Sequence, residues 1–307
     1  MRRSLAALAA AALLVAATAA LLAVAACRPA PGAPPIRVGS KNFTEQVVLG
    51  ELAARALEAE GLKVDRRLDL GGTFLCQRAL VAGELDLYPE YTGTAFAAIL
   101  KEKPTSDAAK VRARVTEEYA RRWNLVWAPP LGFENTFALV MRGDDARRLG
   151  IARISDLAAH PELRPGFGYE FLERADGYPG LAAAYGLGFR SRPAQMDLGL
   201  LYSALAQGRV DVVAGSSTDG PIATMHLAVL DDDRHYFPPY EAAFVVREPV
   251  WKDPRVRRAL ERLSGAISAD AMRAMNAAVD GGRRPADVSA EFLSRRVPSV
   301  TSSSAPR

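Results

Sequence analysis

Two cysteines, Cys27 and Cys76, and three histidines, His160, His226 and His235, are all that 307 residues hold of the side chains most used for metal and redox chemistry. No histidine stands at metal-ligand spacing from another histidine or a cysteine. Cys76 follows Leu75 inside a predicted helix, so it reads as a buried, inert thiol. The chain has no Gly-x-Ser-x-Gly elbow and no phosphate-binding glycine loop, and Gly71-Gly72-Thr73 is too short to be one. No cofactor is implied. With Cys27 at the end of an apolar leader, no intrachain disulfide is expected, and roughly 260 further residues can bury a core without one. Charge is also scarce in net terms. The formal +4 falls to +2 without Arg2 and Arg3. There is no basic stripe, so no nucleic acid partner is expected.

The leader is the longest apolar run. Arg2 and Arg3 precede a stretch, Leu5 to Ala26, that carries no charge and is mostly alanine. It closes on Val24-Ala25-Ala26-Cys27, small residues before a cysteine, the pattern read by lipoprotein signal peptidase, with Val24 where leucine is usual. Residues 1–26 therefore read as a lipoprotein signal peptide and Cys27 as the lipidated new terminus, anchored to the membrane rather than spanning it. An ordinary cleaved signal and a retained span are the alternatives. Residues 27–35 are proline-rich and read as a stiff tether. Residues 298–307 are serine-rich and read as a disordered tail.

Within the rest, one pattern occurs twice. Ala79-Leu80-Val81-Ala82-Gly83-Glu84-Leu85-Asp86-Leu87 is echoed by Ala204-Leu205-Ala206-Gln207-Gly208-Arg209-Val210-Asp211-Val212. Each copy predicts a helix end, a glycine stop and a short buried strand. Each leads to polar residues, Tyr91-Thr92-Gly93-Thr94 and Ser216-Ser217-Thr218-Asp219. Two such units suggest two lobes facing a shared cleft. A strand at Ile36-Arg37-Val38-Gly39 comes first, then a helix from about Glu45 to Glu60. Asn42 and Glu45 have the capping-box spacing, and Val48, Leu49, Leu52, Ala56 and Leu57 form the apolar stripe. A strand at 64–68 and a helix opened by Gly71-Gly72-Thr73 follow. This order predicts a parallel α/β arrangement. Further helices are expected at 110–123, from 154, at 177–185 and 198–207, and over most of 254–293. Further strands are expected at 136–141, 167–168, 210–214 and 244–246.

The polar loops suit binding. Asn42-Phe43-Thr44, Gly71-Gly72-Thr73 and Ser217-Thr218-Asp219-Gly220 each precede a predicted helix start, where free N–H groups favour an anionic group such as a carboxylate. Plain capping is the alternative at each. Aromatic residues, only 7% of the chain, gather beside these loops: Phe43, Tyr91, Phe133, Phe137, and Tyr236, Phe237 and Tyr240 around Pro238-Pro239. Ring faces attract a soft cation, such as a methylated ammonium, by roughly 0.5–2 kcal/mol each. Core packing is the alternative for each ring.

These segments resemble the substrate-binding proteins of osmoprotectant ABC transporters, the glycine betaine/carnitine/choline-binding, OpuAC-like family. The resemblance rests on Gly39-Ser40-Lys41-Asn42-Phe43-Thr44-Glu45-Gln46, Leu70-Gly71-Gly72-Thr73, Asp86-Leu87-Tyr88-Pro89-Glu90-Tyr91-Thr92-Gly93-Thr94, Phe133-Glu134-Asn135-Thr136-Phe137, Asp176-Gly177-Tyr178-Pro179, Ser217-Thr218-Asp219-Gly220 and Phe237-Pro238-Pro239-Tyr240. It runs from about Ile36 to Val297. It implies an α/β, two-lobed periplasmic-binding-protein fold of type II, each lobe a mainly parallel sheet flanked by helices, with the ligand in the cleft between. Lobe I is expected at 36–130 and 239–297, and lobe II at 131–238. The family's aromatic cage falls on Tyr91, Phe137, Ser216 and Tyr240, with Thr94, Asn135 and Phe43 nearby. Phe137 stands where choline and carnitine binders have tyrosine, and Ser216 where they have a ring. The ligand is then a quaternary ammonium osmoprotectant (glycine betaine, choline, carnitine or a larger betaine such as ergothioneine). It would be handed to permease and ATPase subunits by a monomeric, extracytoplasmic, lipid-anchored protein without enzyme activity. The alternative is an enzyme on a related scaffold using Cys76 or His226.

Overall fold

The computed structural model describes residues 34–296. The leader, Cys27, most of the tether and the 298–307 tail lie outside the described residues. No helix among the described residues is long and apolar enough to cross a membrane.

The chain opens with β1 (Ile36–Gly39), α1 (Thr44–Ala59), β2 (Val64–Arg67), α2 (Thr73–Val81), β3 (Leu87–Tyr91), α3 (Ala108–Trp123) and β4 (Leu125–Trp127). It then enters a second sheet through β5 (Phe137–Arg142), β6 (Pro165–Phe167), α4 (Tyr178–Tyr185), β7 (Ala194–Gln195), α5 (Leu201–Ala206), β8 (Val212–Ser216) and β9 (Leu227–Val229). It returns as β10 (Ala242–Arg247) and ends in α6 (Pro254–Glu261), α7 (Ala269–Asp280) and α8 (Pro285–Arg296). The strand orders are β2-β1-β3-β10-β4 and β7-β6-β8-β5-β9, the same arrangement twice. The expected parallel order holds for β2-β1-β3 and for β7-β6-β8. The sheets are mixed all the same. β10 and β5, the strands that enter each sheet from the other, run antiparallel to both neighbours.

The repeat has a structural cause. Gly83 and Gly208 hold φ of 74° and 65°, the left-handed turn that ends each helix where a side chain would be strained. The two aspartates then do the same work. Asp86 takes hydrogen bonds from the Arg37 N–H (2.9 Å), Nε (2.9 Å) and a terminal nitrogen (2.8 Å), and one from Arg247 (3.2 Å). Asp211 takes the equivalent three from Arg164 (3.0, 2.8 and 2.9 Å) and one from Arg142 (2.7 Å). Each aspartate thereby ties the start of its sheet's central strand to the end of the entering strand. Burial pushes Asp211 up, but the bonds from Arg164 and Arg142 outweigh it and bring its pKa to about 2. The repeated Asp thus anchors each lobe and is not a site residue.

In α1 the whole expected stripe, Val48, Leu49, Leu52, Ala56 and Leu57, is buried. Its start differs from the capping box. Phe43 is the N-cap and no side chain caps it, while the Asn42 N–H bonds to the Gly71 carbonyl at 3.1 Å. Glu45 turns inward instead. The two segments that join the sheets lie side by side. Glu134 bridges Glu241, the Asn135 N–H bonds to the Tyr240 carbonyl (3.0 Å) and the Ala242 N–H to the Phe133 carbonyl (3.1 Å). Asn135 and Tyr240 therefore sit on the connection itself, and Phe137 and Tyr91 at adjacent strand ends.

Candidate functional site

A cavity of about 770 Å³ is lined from both sheets, by the loops after β1 and β3 on one side and by β5, β8 and the segment around Phe171 on the other. All seven residues singled out from the sequence, Phe43, Tyr91, Thr94, Asn135, Phe137, Ser216 and Tyr240, line it. Cys76 does not. Its thiol is fully buried, pushed up to about 12 chiefly by burial, and directed at the Ser40 and Gly71 carbonyls. His226 is exposed ahead of β9.

The rings form two groups. Phe137 packs edge-on against Phe171 (4.8 Å between centroids) and Tyr240 (5.8 Å), and tilted against Phe237 (5.8 Å). Tyr91 stacks on Phe43 at 6.4 Å. Protein cations already sit on two of these rings. The Arg174 guanidinium lies 4.9 Å from the Phe137 centroid, and Lys41 Nζ lies 5.1 Å from that of Tyr91. Both cations are held from behind by buried acids. Lys41 pairs with Glu90. Arg174 gives Asp176 two bonds, from Nε (2.9 Å) and from a terminal nitrogen (2.5 Å), and that nitrogen also reaches Thr94 Oγ1 (3.2 Å). Tyr240 Oη adds a third donor to Asp176 at 2.6 Å. Phe137 and Tyr91 thus each hold a cation of the protein itself at cation–π distance.

Beneath Tyr91, Glu45 is buried among four donors. Its Oε1 accepts from Tyr91 Oη (2.6 Å) and Asn135 Nδ2 (2.8 Å), and its Oε2 from Thr218 Oγ1 and from Asn276 Nδ2 (3.2 Å). Burial pushes Glu45 up more than these bonds bring it down. This one carboxylate joins the start of α1, the connection between the sheets, the loop after β8 and α7.

No side chain caps any of the three predicted helix starts, but an acid of the protein lies beside each. At α2, a side chain on Gly72 would stand 2.2 Å from Glu170 Oε1, which reaches over from the other sheet. At α1, Thr44 Oγ1 donates to Asp280 at 2.6 Å. After β8, the Asp219 carboxylate folds back onto the Ser216 N–H at 2.8 Å. The cavity wall consequently carries five acids, Asp69, Glu170, Asp197, Asp219 and Asp280, against two cations, Lys41 and Arg174. Arg174, Glu170 and Tyr202 are not singled out by the sequence, and Asp219 is singled out only as part of the loop Ser217-Thr218-Asp219-Gly220. The motif Asp176-Gly177-Tyr178-Pro179 stands two residues beyond Arg174 and was the signal that could have pointed there.

Two α/β lobes of like topology, sharing a solute-sized cavity whose polar and aromatic groups come from both, define a two-lobed solute-binding protein. The chain belongs to the family described as the substrate binding domain of ABC-type glycine betaine transport system, which matches residues 34–295. It is 34% identical over 266 residues to the carnitine transport binding protein OpuCC of Listeria monocytogenes, covering 85% of this chain and 86% of that one. It is 36% identical over 271 residues to a glycine-betaine-binding protein of Pseudomonas aeruginosa, covering 84% and 86%. It is 35% identical over 267 residues to the ergothioneine transport permease/ergothioneine binding protein EgtU of Helicobacter pylori, covering 85% of this chain but 47% of that protein, so the chain spans about half its length. The crystal structure of a glycine betaine/carnitine/choline ABC transporter superposes with a TM-score of 0.70 at 30% identity, covering 85% of this chain and 98% of that one. The type II periplasmic-binding fold is thereby established, within a family of transport binding proteins rather than enzymes.

Proposed function

We propose that this protein is the extracytoplasmic binding lipoprotein of an ABC importer and captures a quaternary ammonium solute of the betaine type. The observation that carries this is the cavity wall: five acids against two cations, and both cations bound to buried acids behind them. A site so charged favours a ligand with a positive centre, and Phe137, Tyr240 and Tyr91, which all line the cavity, supply rings for it. Thr94, Asn135, Ser216 and Phe43 also line the cavity. Arg174 and Lys41 are the lining cations available to a betaine's carboxylate.

Lobe I, residues 36–130 and 239–297, and lobe II, residues 131–238, close on the solute about the paired connections. The closed form is what the permease and ATPase subunits recognise, since a ligand shifts such an equilibrium only through contacts made in that form. Cys27 carries the lipid, and the protein acts as a monomer.

Calorimetry on the folded protein with glycine betaine, choline, carnitine and ergothioneine tests this. At least one should bind. Choline's uncharged carbon isostere, 3,3-dimethyl-1-butanol, should bind at least ~10-fold more weakly than choline, matching about 1.4 kcal/mol of cation–π and Coulomb attraction. No heat from any of the four onium compounds would defeat the reading.

A further inference from the structure

Gly72 has no conformational reason to be glycine. It precedes α2 at φ −77° and ψ −175°, extended backbone that any residue adopts. Space is the reason. A Cβ there would stand 2.2 Å from Glu170 Oε1, 2.7 Å from its Cδ and 3.4 Å from its Cγ. Glu170 belongs to the helical turn Tyr169–Glu173, which follows β6 of the second sheet. The bare glycine therefore admits a side chain from across the cavity, which both residues line. Their neighbours Phe74, Leu75 and Tyr169 are exposed, so the contact lies at the cavity's mouth.

A second seam between the same two halves is built differently. Gly220, at the start of the short helix Gly220–Thr224 after β8, lies against the backbone of α7. A Cβ on it would stand 2.7 Å from Ala277 Cα and 2.8 Å from Ala277 N. Asn276 Nδ2 reaches the Thr218 carbonyl at 2.9 Å, and Thr218 Oγ1 donates to the buried Glu45. Opening that seam would part backbone from backbone and break buried hydrogen bonds. At the mouth, separation only unseats one flexible side chain, 31% exposed. Segments of least local stability are the ones that move, so the mouth is the seam that opens.

Glu170 is suited to hold that seam shut. No side chain caps α2, and a carboxylate is stabilised beside an uncapped helix start. Its other oxygen, Oε2, lies 3.8 Å from Arg174, so Oε1 is the one turned to Gly72. We infer that Glu170 is the clasp of the closed form: seated on Gly72, it sets how long a bound solute is retained, without distinguishing one onium solute from another. This rests on the reading under Proposed function and extends it from what is bound to how it is released.

Stopped-flow kinetics on the full chain test this, with the two tightest binders among glycine betaine, choline, carnitine and ergothioneine. Gly72→Ala keeps every charge and Glu170→Ala removes one, yet both unseat the carboxylate. Each should raise koff ~5-fold, by the same factor for both ligands, while kon in Gly72→Ala stays within about twofold of wild type. The paired variant Gly72→Cys, Glu170→Cys gives a second readout, because the Glu170 Cγ distance brings the two sulfurs into disulfide reach. Bound ligand should speed formation of the disulfide, and the oxidised protein should release ligand at least ~10-fold more slowly than the reduced one. Unchanged koff in both single variants overturns the inference. So does a Gly72→Ala effect that differs between the two ligands, or an oxidised pair that exchanges ligand as fast as the reduced one. Should wild type bind no onium compound, the parent reading falls and the disulfide alone judges the clasp: its formation in ligand-free protein upholds the contact, and none under mild oxidation overturns it.

Discussion

Glu45→Ala should lower the stability of the folded protein by about 3–5 kcal/mol, read as a reduced urea midpoint at constant slope. The size follows from what is left behind. Tyr91 Oη, Asn135 Nδ2 and Thr218 Oγ1 lose their acceptor, and Asn276 Nδ2 keeps only the Thr218 carbonyl at 2.9 Å. Each orphaned buried donor costs about 1–3 kcal/mol, not additively, because the four form one network. Glu45→Gln retains one acceptor oxygen but turns an NH2 toward donors, so it should fall between wild type and Ala. The pH dependence has a definite sign. Burial holds Glu45 above the ordinary carboxyl range, so the folded state keeps its proton to higher pH than the unfolded chain. Its contribution is full below the ordinary carboxyl pKa and is lost as pH rises through the raised value. Gln, which does not titrate, should remove that slope. A loss under about 1 kcal/mol in Glu45→Ala would mean that the network does not join the two lobes as its geometry indicates.

Arg174→Met should cost a similar amount, about 3–5 kcal/mol, for a different reason. Asp176 is fully buried and would keep only the Tyr240 hydroxyl. An uncompensated charge in that position is far worse than no charge at all. The double variant Arg174→Met, Asp176→Asn removes both charges and should regain at least half of the loss, giving a coupling of about 2 kcal/mol in a double-mutant cycle. Additive losses would show that the pair is not coupled. The same change strips the cation from the Phe137 face, so among variants that fold, the balance between carboxylate-bearing betaines and choline should move toward choline.

How far the sequence discloses this molecule depends on whether a feature is local. β1 at Ile36–Gly39 and the helix at Thr44–Ala59 are legible, because a short apolar run and a 3.6-residue stripe act through near neighbours. The repeat is legible for the same reason, and its glycines hold the left-handed turns expected of them. β4 and β9, three residues each, are too short to show a period and exist because β10 and β5 present an edge. The residues after β3, read as a polar loop, instead run on in helical turns from Thr92 to Ile99. The acids at the helix starts could not be foreseen. Gly72 and Glu170 are far apart in sequence and meet only when the two sheets face each other. Glu45 is the sharpest case: its spacing from Asn42 has the capping-box form, yet a buried cluster of donors drawn from four segments claims it. Capping is worth about 1 kcal/mol, less than four hydrogen bonds to a buried carboxylate.

A crystal structure of the protein with its tightest-binding betaine tests the central claim most directly. The onium centre should lie within about 6 Å of the Phe137 and Tyr240 ring centroids, between the two sheets, with the acids of the cavity wall around it. Density for the betaine outside that cavity, or an orientation that turns its charged nitrogen away from both rings, would contradict the account.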